Sequence, residues 1–368
     1  MKTIAIFSGY SLPHLGGIER YIDNLSKILI ARGYRVIIIS SNYNNSKSIE
    51  INNNQIFIRI PIFNIFKNRY PIPKKNKEYK RLIKILDEYN IDRIIVNTRF
   101  HLTSHIGAKY AFKHNIPIFL IEHGSNYVTL DNKFIDFFAN RYEDFLTFKI
   151  KRKVTSFYGV SEAASKWLKR FNIKSSGVWY NSIDTNQMLP KKQTGRSINF
   201  LYAGRLIKQK GVQNILDAFL KLERDHKNIK LYIAGDGPEA EFYKQKYISK
   251  NIVFLGKLNY NELLSYYAKT TCFIYTPLWP EGLPTSILEA GLMKCCVIGT
   301  NQGGISEVVN DSNGYIVDGS VQSIYLSMKS VVENPKESKL KADNLHNDIE
   351  TKFSWEETTT KILKDINL

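Results

Sequence analysis

Cysteine is scarce in this sequence: 368 residues include three. An odd number without the spacing of metal ligands excludes a disulfide framework and offers no zinc site at the usual separations. The three residues, Cys272, Cys295 and Cys296, lie in apolar stretches. We therefore expect them to be reduced side chains in a protein core.

Long apolar runs are also missing, since no stretch approaches the roughly 20 residues that a membrane-spanning helix needs. Met1–Phe7 leads directly into a strand pattern, without the apolar region of a signal peptide. No G-x-G-x-x-G follows that strand, which argues against a nicotinamide dinucleotide enzyme. Zinc-finger and RNA-binding signatures are absent, so nucleic acid is not an expected partner. On these grounds we expect the protein in the cytoplasm.

Acidic residues are few relative to basic ones in the first half of the chain. Residues 1–185 contain 29 Lys and Arg against 14 Asp and Glu, whereas residues 186–368 contain 23 against 20. Dense basic clusters lie at 74–77 and 149–153, and each cation close to acidic lipid contributes about 1 kcal/mol. We expect the first half to face a membrane or a polyanion. An anionic membrane surface would make the protein peripheral at the inner face of the plasma membrane.

Beside the second basic cluster, aromatic residues recur at steps of three and four, the period of one helix face. Such a stripe packs into a protein core more often than it anchors in a membrane, so we expect it to be buried. It consists of Phe134, Phe137, Phe138, Tyr142, Phe145 and Phe148.

Strand and helix patterns alternate along both halves of the chain, which predicts a parallel sheet in each half. Expected strands include Thr3–Phe7 and Ile198–Ala203, and Ile18–Ala31 is an expected amphipathic helix. The Asn- and Ser-rich residues 42–54 are expected to form a loop.

The composition around 189–197, with Pro, Gly and several Lys and Arg residues, is typical of a linker. We therefore expect a first domain at 1–188, a linker at 189–197, a second domain at 198–350 and a final segment at 351–368.

A basic loop follows the first strand of the second half. The segment from Asn199 to Val212 predicts a buried strand, a turn at Gly204, a loop that carries Arg205 and Lys210, and the start of a helix. Ligands collect at loops that leave the carboxyl ends of strands. Arg205 offers a bidentate fork to phosphate oxygens, and Lys210 offers a point charge. Two unrelated surface cations are the alternative, but the order of strand, glycine and cations favours an anion site.

An acidic segment, Pro280–Ala290, places one carboxylate in a turn and another on the helix that follows. Glu281 and Glu289 can accept hydrogen bonds from vicinal hydroxyls, and the amides at Gly282 and Leu283 can approach phosphate. The alternative is a turn-capping Glu281 and a solvated Glu289. A nucleotide sugar carries both of the groups that this segment could bind.

Two further segments follow expected strands of the first half. Gly16 and Gly17 precede a helix, where backbone without a Cβ can approach a ligand closely and the helix N-terminus favours negative charge. An ordinary turn is the alternative. His123 follows the strand at 118–121, and a lone histidine at such a place is more often structural than catalytic.

Together, these segments resemble family 4 of the retaining glycosyltransferases, and in particular bacterial enzymes of surface-polysaccharide and lipopolysaccharide synthesis. The resemblance implies a GT-B fold, in which two Rossmann-like domains face each other across a cleft and 351–368 crosses back onto the first domain. It rests on Tyr202–Gly211, Ala234–Pro238, Glu281–Glu289, Gly303–Glu307, Gly16–Arg20 and Glu122–Ser125.

The resemblance also implies roles for individual residues. The expected catalytic residues are Arg205, Lys210, Glu281 and His123, the last contacting the donor sugar. The expected donor-binding residues are Gly16, Gly17, Gly282, Leu283 and Glu289, the last through the ribose diol.

The implied reaction moves a hexose, with its anomeric configuration kept, from a nucleotide diphosphate sugar to a lipid-linked glycan, which we expect to be carried on polyprenyl diphosphate. Phosphatidylinositol or another glycolipid stays open as the acceptor. No D-x-D pair occurs, so we expect no metal ion and no cofactor besides the donor. Arg205 and Lys210 would supply the charge that a metal supplies elsewhere. Two alternatives stay open: a nucleotide-sugar 2-epimerase, and a GT-B protein that binds sugar nucleotides without catalysis.

Overall fold

A computed structural model describes the chain apart from a few short gaps and single positions. It forms two compact units: residues 1–181 with 355–368, and residues 182–354. The residues not described are Leu15, Asn44, 66–69, Val128, Leu130, Asp131, Thr194 and Arg196.

The second unit begins at Ser182, ahead of the boundary expected at 188. Ile183 accounts for this, because its amide donates to Phe353 O at 2.9 Å and joins the end of the same unit. The expected linker at 189–197 also contacts the second unit, since Lys192 Nζ donates to Thr270 O at 2.6 Å. Two of that linker's residues, Thr194 and Arg196, lie outside the described residues.

Sixteen strands are described, ten in the first unit and six in the second. The first ten are Thr3–Phe7 (β1), Arg35–Ser41 (β2), Ile49–Asn52 (β3), Gln55–Ile60 (β4), Ile62–Ile65 (β5), Tyr70–Pro73 (β6), Arg93–Asn97 (β7), Ile118–Glu122 (β8), Ser156–Gly159 (β9) and Gly177–Val178 (β10). The last six are Ile198–Ala203 (β11), Ile229–Ala234 (β12), Ile252–Gly256 (β13), Cys272–Tyr275 (β14), Cys296–Thr300 (β15) and Tyr315–Val317 (β16).

Thirteen α-helices are described. They are Gly17–Ala31 (α1), Lys77–Ile85 (α2), Leu102–His114 (α3), Lys133–Ile150 (α4), Glu162–Trp167 (α5), Val212–Glu223 (α6), Ala240–Lys246 (α7), Tyr260–Lys269 (α8), Thr285–Leu292 (α9), Ile305–Val308 (α10), Val321–Glu333 (α11), Pro335–Lys352 (α12) and Trp355–Asp365 (α13). Short 3-10 turns lie at Leu86–Glu88, Leu168–Phe171 and Lys208–Lys210.

The first unit is built on an eight-stranded sheet in the order β10-β9-β8-β7-β1-β2-β4-β3. All neighbours are parallel except β3 and β4. Chain order runs outward in opposite directions from β1 and β7, so the two strands flank a topological switch point. A separate antiparallel pair joins β5 and β6.

Side chains of β1 alternate between the two faces of this sheet, as the pleat requires. Ala5 and Phe7 belong to one buried cluster, whereas Ile4 and Ile6 belong to the other. The second cluster also contains Trp355 and Ile362 of α13. The C-terminal helix therefore completes the core of the first unit.

The second unit has a six-stranded parallel sheet in the order β13-β12-β11-β14-β15-β16. Its switch point lies between β11 and β14. The three cysteines are free and buried in this unit, as predicted. Helices pack against the sheet through apolar faces, as α6 does with Ile215 and Phe219.

Two local predictions are wrong. Residues 49–52 of the expected loop at 42–54 form β3, which pairs antiparallel with β4 because Ile49 and Ile51 lie opposite Ile58 and Ile56. Asn44 of the same loop lies outside the described residues.

The aromatic stripe of α4 is exposed rather than buried. Phe134 is 74% accessible, and the other five members are between 44% and 56% accessible. The helix uses a different face for the core, formed by Glu143, Leu146, Thr147 and Ile150.

Across the described ranges, no helix combines the length and the apolar character that crossing a bilayer requires.

A buried ion cluster joins α4 to the end of β8. The Arg99 guanidinium donates to Glu122 Oε2 and to Glu143 Oε2, each at 2.8 Å, and all three side chains are almost fully buried. The Phe171 ring centroid lies 4.3 Å from the guanidinium carbon. Two carboxylates and one cation share the cluster, so removing the cation leaves buried negative charge uncompensated.

We expect Arg99→Ala to lower the free energy of unfolding by about 3–5 kcal/mol, because breaking a buried ion pair strands its partner. The matched control is Arg141→Ala, whose exposed pair with Asp144 contributes at most about 1 kcal/mol. Urea denaturation followed by circular dichroism measures both. Equal stability of the two variants would contradict the role given to Arg99.

Candidate functional site

The second unit brings its predicted basic loop and acidic turn to one edge of the sheet. The loop follows β11 and the turn follows β14, and these strands are neighbours at the switch point. Loops that leave the carboxyl ends of strands on the two sides of a switch point enclose the binding crevice of an open α/β sheet. The topology therefore accounts for the pairing of two segments that lie far apart in sequence.

Glycines let the loops at this edge pack closely. A Cβ on Gly235 would lie 1.8 Å from Gly204 O, and one on Gly211 would lie 2.2 Å from Thr276 O. Gly211 also has a φ of +68°, which favours glycine. The loop that carries Arg205 and Lys210 is thus fixed on both sides, while the Arg205 side chain itself is exposed.

Lys210, Tyr275 and Glu281 form a hydrogen-bonded triangle. Lys210 Nζ donates to Tyr275 Oη at 2.7 Å and to Glu281 Oε1. Tyr275 Oη donates in turn to Glu281 Oε2 at 2.9 Å. The Lys210 and Glu281 side chains keep about a fifth of their surface accessible, so a ligand can reach both.

The loop after β15 packs against the turn that carries Glu281 and hydrogen-bonds to it. Gly304 N donates to Glu281 O at 3.0 Å. A Cβ on Gly303 would overlap the Glu281 backbone at 1.9 Å, and Gly303 has a φ of +58°. Beyond Glu281, Gly282 is half-buried and Leu283 is buried ahead of α9.

Glu289 lies in α9 and is 6% accessible. Tyr267 Oη lies 3.2 Å from Glu289 Oε2 and 3.2 Å from Ser286 O. The solvated-helix alternative for Glu289 is therefore wrong: its carboxylate is buried and hydrogen-bonded.

Three buried tyrosines that sequence reasoning missed each bond to a predicted site residue. Tyr202 donates to Arg205 O at 3.0 Å, Tyr275 to Glu281 and Tyr267 to Glu289. The Tyr202 and Tyr275 rings stack with centroids 6.2 Å apart. A tyrosine in a strand is ordinarily a core residue, and only the neighbouring positions of β11 and β14 reveal that the Tyr202 and Tyr275 hydroxyls reach the site. Tyr267 lies in α8 instead.

Burial raises the pKa of Tyr202, Tyr267 and Tyr275 well above the usual value for tyrosine. A neighbouring carboxylate raises it further in each case: Glu281 for Tyr202 and Tyr275, and Glu289 for Tyr267. The three hydroxyls therefore remain protonated donors, which preserves the hydrogen bonds that they make.

In the first unit, His123 lies just after β8 and beside the switch-point strand β7. Asn97 Nδ2 donates to Phe7 O at 3.1 Å, so the Asn97 amide oxygen faces His123 Nε2 at 2.8 Å. This orientation assigns the proton to Nε2. Burial and, to a smaller extent, nearby His101 lower the pKa of His123 to about 3.

Gly16 and Gly17 stand at the start of α1 in the same unit. A Cβ on Gly16 would lie 2.3 Å from Glu19 Oε2, whereas Gly17 has open space around that position. Burial raises the pKa of Glu19, and His14 Nδ1 at 3.2 Å counteracts this shift. The Glu19 side chain therefore occupies the space beside Gly16 that a Cβ would need.

The structure thus assigns the nine predicted site residues to two groups. Arg205, Lys210, Glu281, Gly282 and Leu283 lie in the loops at one edge of the second unit's sheet, where Lys210 contacts Glu281 directly, and Glu289 lies in α9, the helix that follows the acidic turn. Gly16, Gly17 and His123 lie at the switch-point edge of the first unit. In the parts of the chain with described coordinates, no cluster of three or more His, Cys, Asp and Glu residues could hold a metal ion.

Two family models match consecutive parts of the chain. "Glycosyltransferase Family 4" matches residues 15–187, and "Glycosyl transferases group 1" matches residues 186–346. The chain belongs to glycosyltransferase family 4. The switch-point edges described above therefore lie in the two halves of a glycosyltransferase.

Relatives of this glycosyltransferase span nearly its whole length. An uncharacterized glycosyltransferase of Methanocaldococcus jannaschii is 28% identical, with 98% of this chain and 97% of that protein aligned. One component of the human phosphatidylinositol N-acetylglucosaminyltransferase is 22% identical over all of this chain and 76% of its own length.

Solved structures share the GT-B fold. HepE of Anabaena, crystallised with UDP, matches with a TM-score of 0.77 at 17% identity, over all of both chains. WaaG, a glycosyltransferase involved in lipopolysaccharide biosynthesis, matches with a TM-score of 0.70 at 14% identity, over 100% of this chain and 99% of that one. The predicted architecture of two Rossmann-like domains is confirmed.

We expect His123 to remain neutral across the physiological range, because its folded pKa of about 3 lies below the value of about 6.5 for an unperturbed histidine. The neutral imidazole stabilises the fold fully above about pH 6.5, and this contribution is lost as the pH falls toward the folded pKa.

The measurement is an NMR titration of the histidine Cε1–H resonances, with His123→Asn to assign the signal. The His123 resonance should not shift between about pH 8 and about pH 5. A titration midpoint near the unperturbed value would show that the imidazole is hydrated and would contradict this prediction.

Proposed function

We propose that the protein is a retaining hexosyltransferase that moves a sugar from a nucleotide diphosphate sugar to a hydroxyl of a lipid-linked glycan. The observation that carries this proposal is the Lys210–Tyr275–Glu281 triangle, which lies at the same sheet edge as exposed Arg205 and ahead of α9, the helix that carries buried Glu289. Family membership and the UDP bound by HepE support a nucleotide sugar as donor.

Lys210 supplies positive charge to the departing diphosphate in this proposal. Its ammonium group has three N–H donors, of which two are engaged by Tyr275 and Glu281, so the third can point at a phosphate oxygen. Arg205 adds a bidentate fork. Such preorganised charge stabilises the negative charge that develops as the glycosidic bond breaks, without a metal ion.

Glu281 and Glu289 accept hydrogen bonds from hydroxyls in this scheme. Glu281 holds the donor sugar, and Glu289 takes the ribose diol while Tyr267 fixes its carboxylate. The departing phosphate oxygen takes the proton of the acceptor hydroxyl, so no protein nucleophile is needed. Gly282 and Leu283 present backbone N–H groups near the start of α9, and His123, Gly16 and Gly17 of the first unit complete the proposed set.

The proposed acceptor is lipid-linked because the first unit carries features suited to an anionic bilayer. The stripe of α4 is exposed, and cations lie over its rings: Lys149 Nζ is 4.1 Å from the Phe145 centroid and Arg152 is 4.8 Å from that of Phe148. Aromatic rings flanked by cations match the boundary between headgroups and acyl chains. The human relative's name includes phosphatidylinositol, which also supports a lipid acceptor.

We expect Lys210→Ala and Glu281→Gln each to lower kcat/KM by about 10²- to 10³-fold, the effect of losing one preorganised group. The control is Lys208→Ala, on the same 3-10 turn with an exposed side chain. Release of nucleoside diphosphate from a panel of UDP-, GDP- and dTDP-sugars is measured with and without lipid-linked glycan.

The acceptor dependence of that assay separates the alternatives. A transferase releases nucleotide only when acceptor is present, whereas an epimerase changes the donor sugar alone. Turnover near that of the wild type in folded Lys210→Ala would refute the electrostatic role of this lysine. Calorimetric titration with UDP adds a second readout, in which Lys210→Ala should bind more weakly than Lys208→Ala.

We expect Phe138→Ser/Phe145→Ser to weaken binding to vesicles of phosphatidylglycerol and phosphatidylcholine by about tenfold or more, since burying one phenyl ring contributes about 1.5–3 kcal/mol. Co-sedimentation measures the partitioning. The matched control is Phe112→Ser/Phe242→Ser, which removes two exposed rings outside α4. Equal partitioning of the two variants would exclude the stripe as the bilayer contact.

A further inference from the structure

An open groove of about 890 Å³ lies between α2, α3 and β6 in the first unit. Apolar side chains form its walls, and several of them pack with their inner side on the core beneath the sheet. The wall residues used below are Ile72, Tyr79, Ile83, Leu102, Ile106 and Tyr110. Most of these side chains are half-buried, so apolar surface remains open to the groove.

Five lysines also line the groove, around these apolar walls: Lys75, Lys80, Lys84, Lys109 and Lys113. All are exposed, and none of them forms an ion pair with any residue for which the structure gives a position. The lining has one acidic side chain, Asp87, which already accepts a hydrogen bond from Tyr110 Oη at 3.0 Å. The groove is therefore strongly electropositive.

The lysines are arranged at a cost to the helices that carry them. Lys80 and Lys84 stand four residues apart on α2, and Lys109 and Lys113 stand four apart on α3. Like charges at this spacing repel each other and destabilise the helix that carries them. An anion bound between the two helices would remove that repulsion.

The size and walls of the groove decide which kind of anion fits. Its volume lies within the range of about 300–1,000 Å³ that is usual for sites of organic ligands, which is far more than a free phosphate needs. Apolar walls below a cationic rim match a ligand with a hydrocarbon chain and an anionic head. A lysine side chain can place its ammonium group beside the anionic head while its methylene groups pack against the hydrocarbon chain.

We propose that this groove binds one molecule of a phosphate-bearing lipid, with its hydrocarbon chain against the apolar walls and its phosphate among the five lysines. The residues that line the groove differ from those of the aromatic stripe of α4, for which we propose contact with a bilayer surface. The site is also independent of the transfer reaction, because lipid binding in this groove needs no nucleotide sugar.

The test is calorimetric titration of the full chain with dioctanoyl phosphatidic acid below its micelle concentration and without nucleotide sugar. We expect saturable binding at one lipid per chain. Lys84→Glu/Lys109→Glu should weaken it at least tenfold. The matched control, Lys361→Glu/Lys364→Glu, makes the same charge change at two exposed lysines of α13 and should bind as the wild type does.

Two further arms separate a lipid site from a simple anion site. Dioctanoyl phosphatidylcholine should bind at least tenfold more weakly, and Ile83→Trp, which fills the groove without changing its charge, should weaken phosphatidic acid binding. Equal losses in the groove and control variants would overturn the proposal. So would displacement of the lipid by inorganic phosphate, or tighter binding of a poly-glutamate peptide than of the lipid.

Discussion

The ion pair between Lys210 and Glu281 is the interaction on which the second unit's site depends. It joins the loop after β11 to the turn after β14, and Tyr275 bonds both partners at once. A lysine and a glutamate with four-fifths of their surface removed from water lose hydration that a bare Coulomb attraction does not fully repay. The phenol hydroxyl supplies the additional hydrogen bonds, so the pair is held in one geometry before any ligand arrives. Since both strands flank the switch point, this geometry is a consequence of strand order as much as of the side chains.

The sequence predicted the strand, loop and turn that carry these residues better than it predicted the contacts that support them. Strand, glycine and cations in order around Arg205 and Lys210 are local features, and so are the turn residues around Glu281. The tyrosines are different, because Tyr202 and Tyr275 meet only when β11 and β14, far apart in the chain, become neighbours. Alternation within one strand shows which face a side chain occupies but not which strand lies beside it. Local sequence patterns therefore could not predict these long-range contacts.

Helix α4 shows why periodicity alone can select the wrong face. Two stripes with helical spacing run along it, one aromatic and one that passes through Glu143, Leu146 and Ile150. The aromatic stripe is the more apolar by sequence, yet the other is buried. Arg99 contributes to this outcome, because its buried guanidinium donates to Glu143 Oε2 as well as to Glu122 Oε2. The face with the polar contact to Arg99 is buried instead of the more apolar face, and the six aromatic side chains stay accessible. The sequence alone does not show that Arg99 lies beside α4.

Protonation states at the two switch-point edges complete the physical picture. The hydroxyls of Tyr202, Tyr267 and Tyr275 have pKa values raised by burial, and the pKa of His123 is lowered to about 3 by burial. Opposite shifts have the same effect, since each keeps a neutral hydrogen-bonding group neutral throughout the physiological range. The hydrogen bonds that orient Glu281 and Glu289 consequently do not change with modest changes in pH. A site of this kind holds its donors and acceptors fixed, so a bound phosphate meets positive charge whose position was set when the sheet folded.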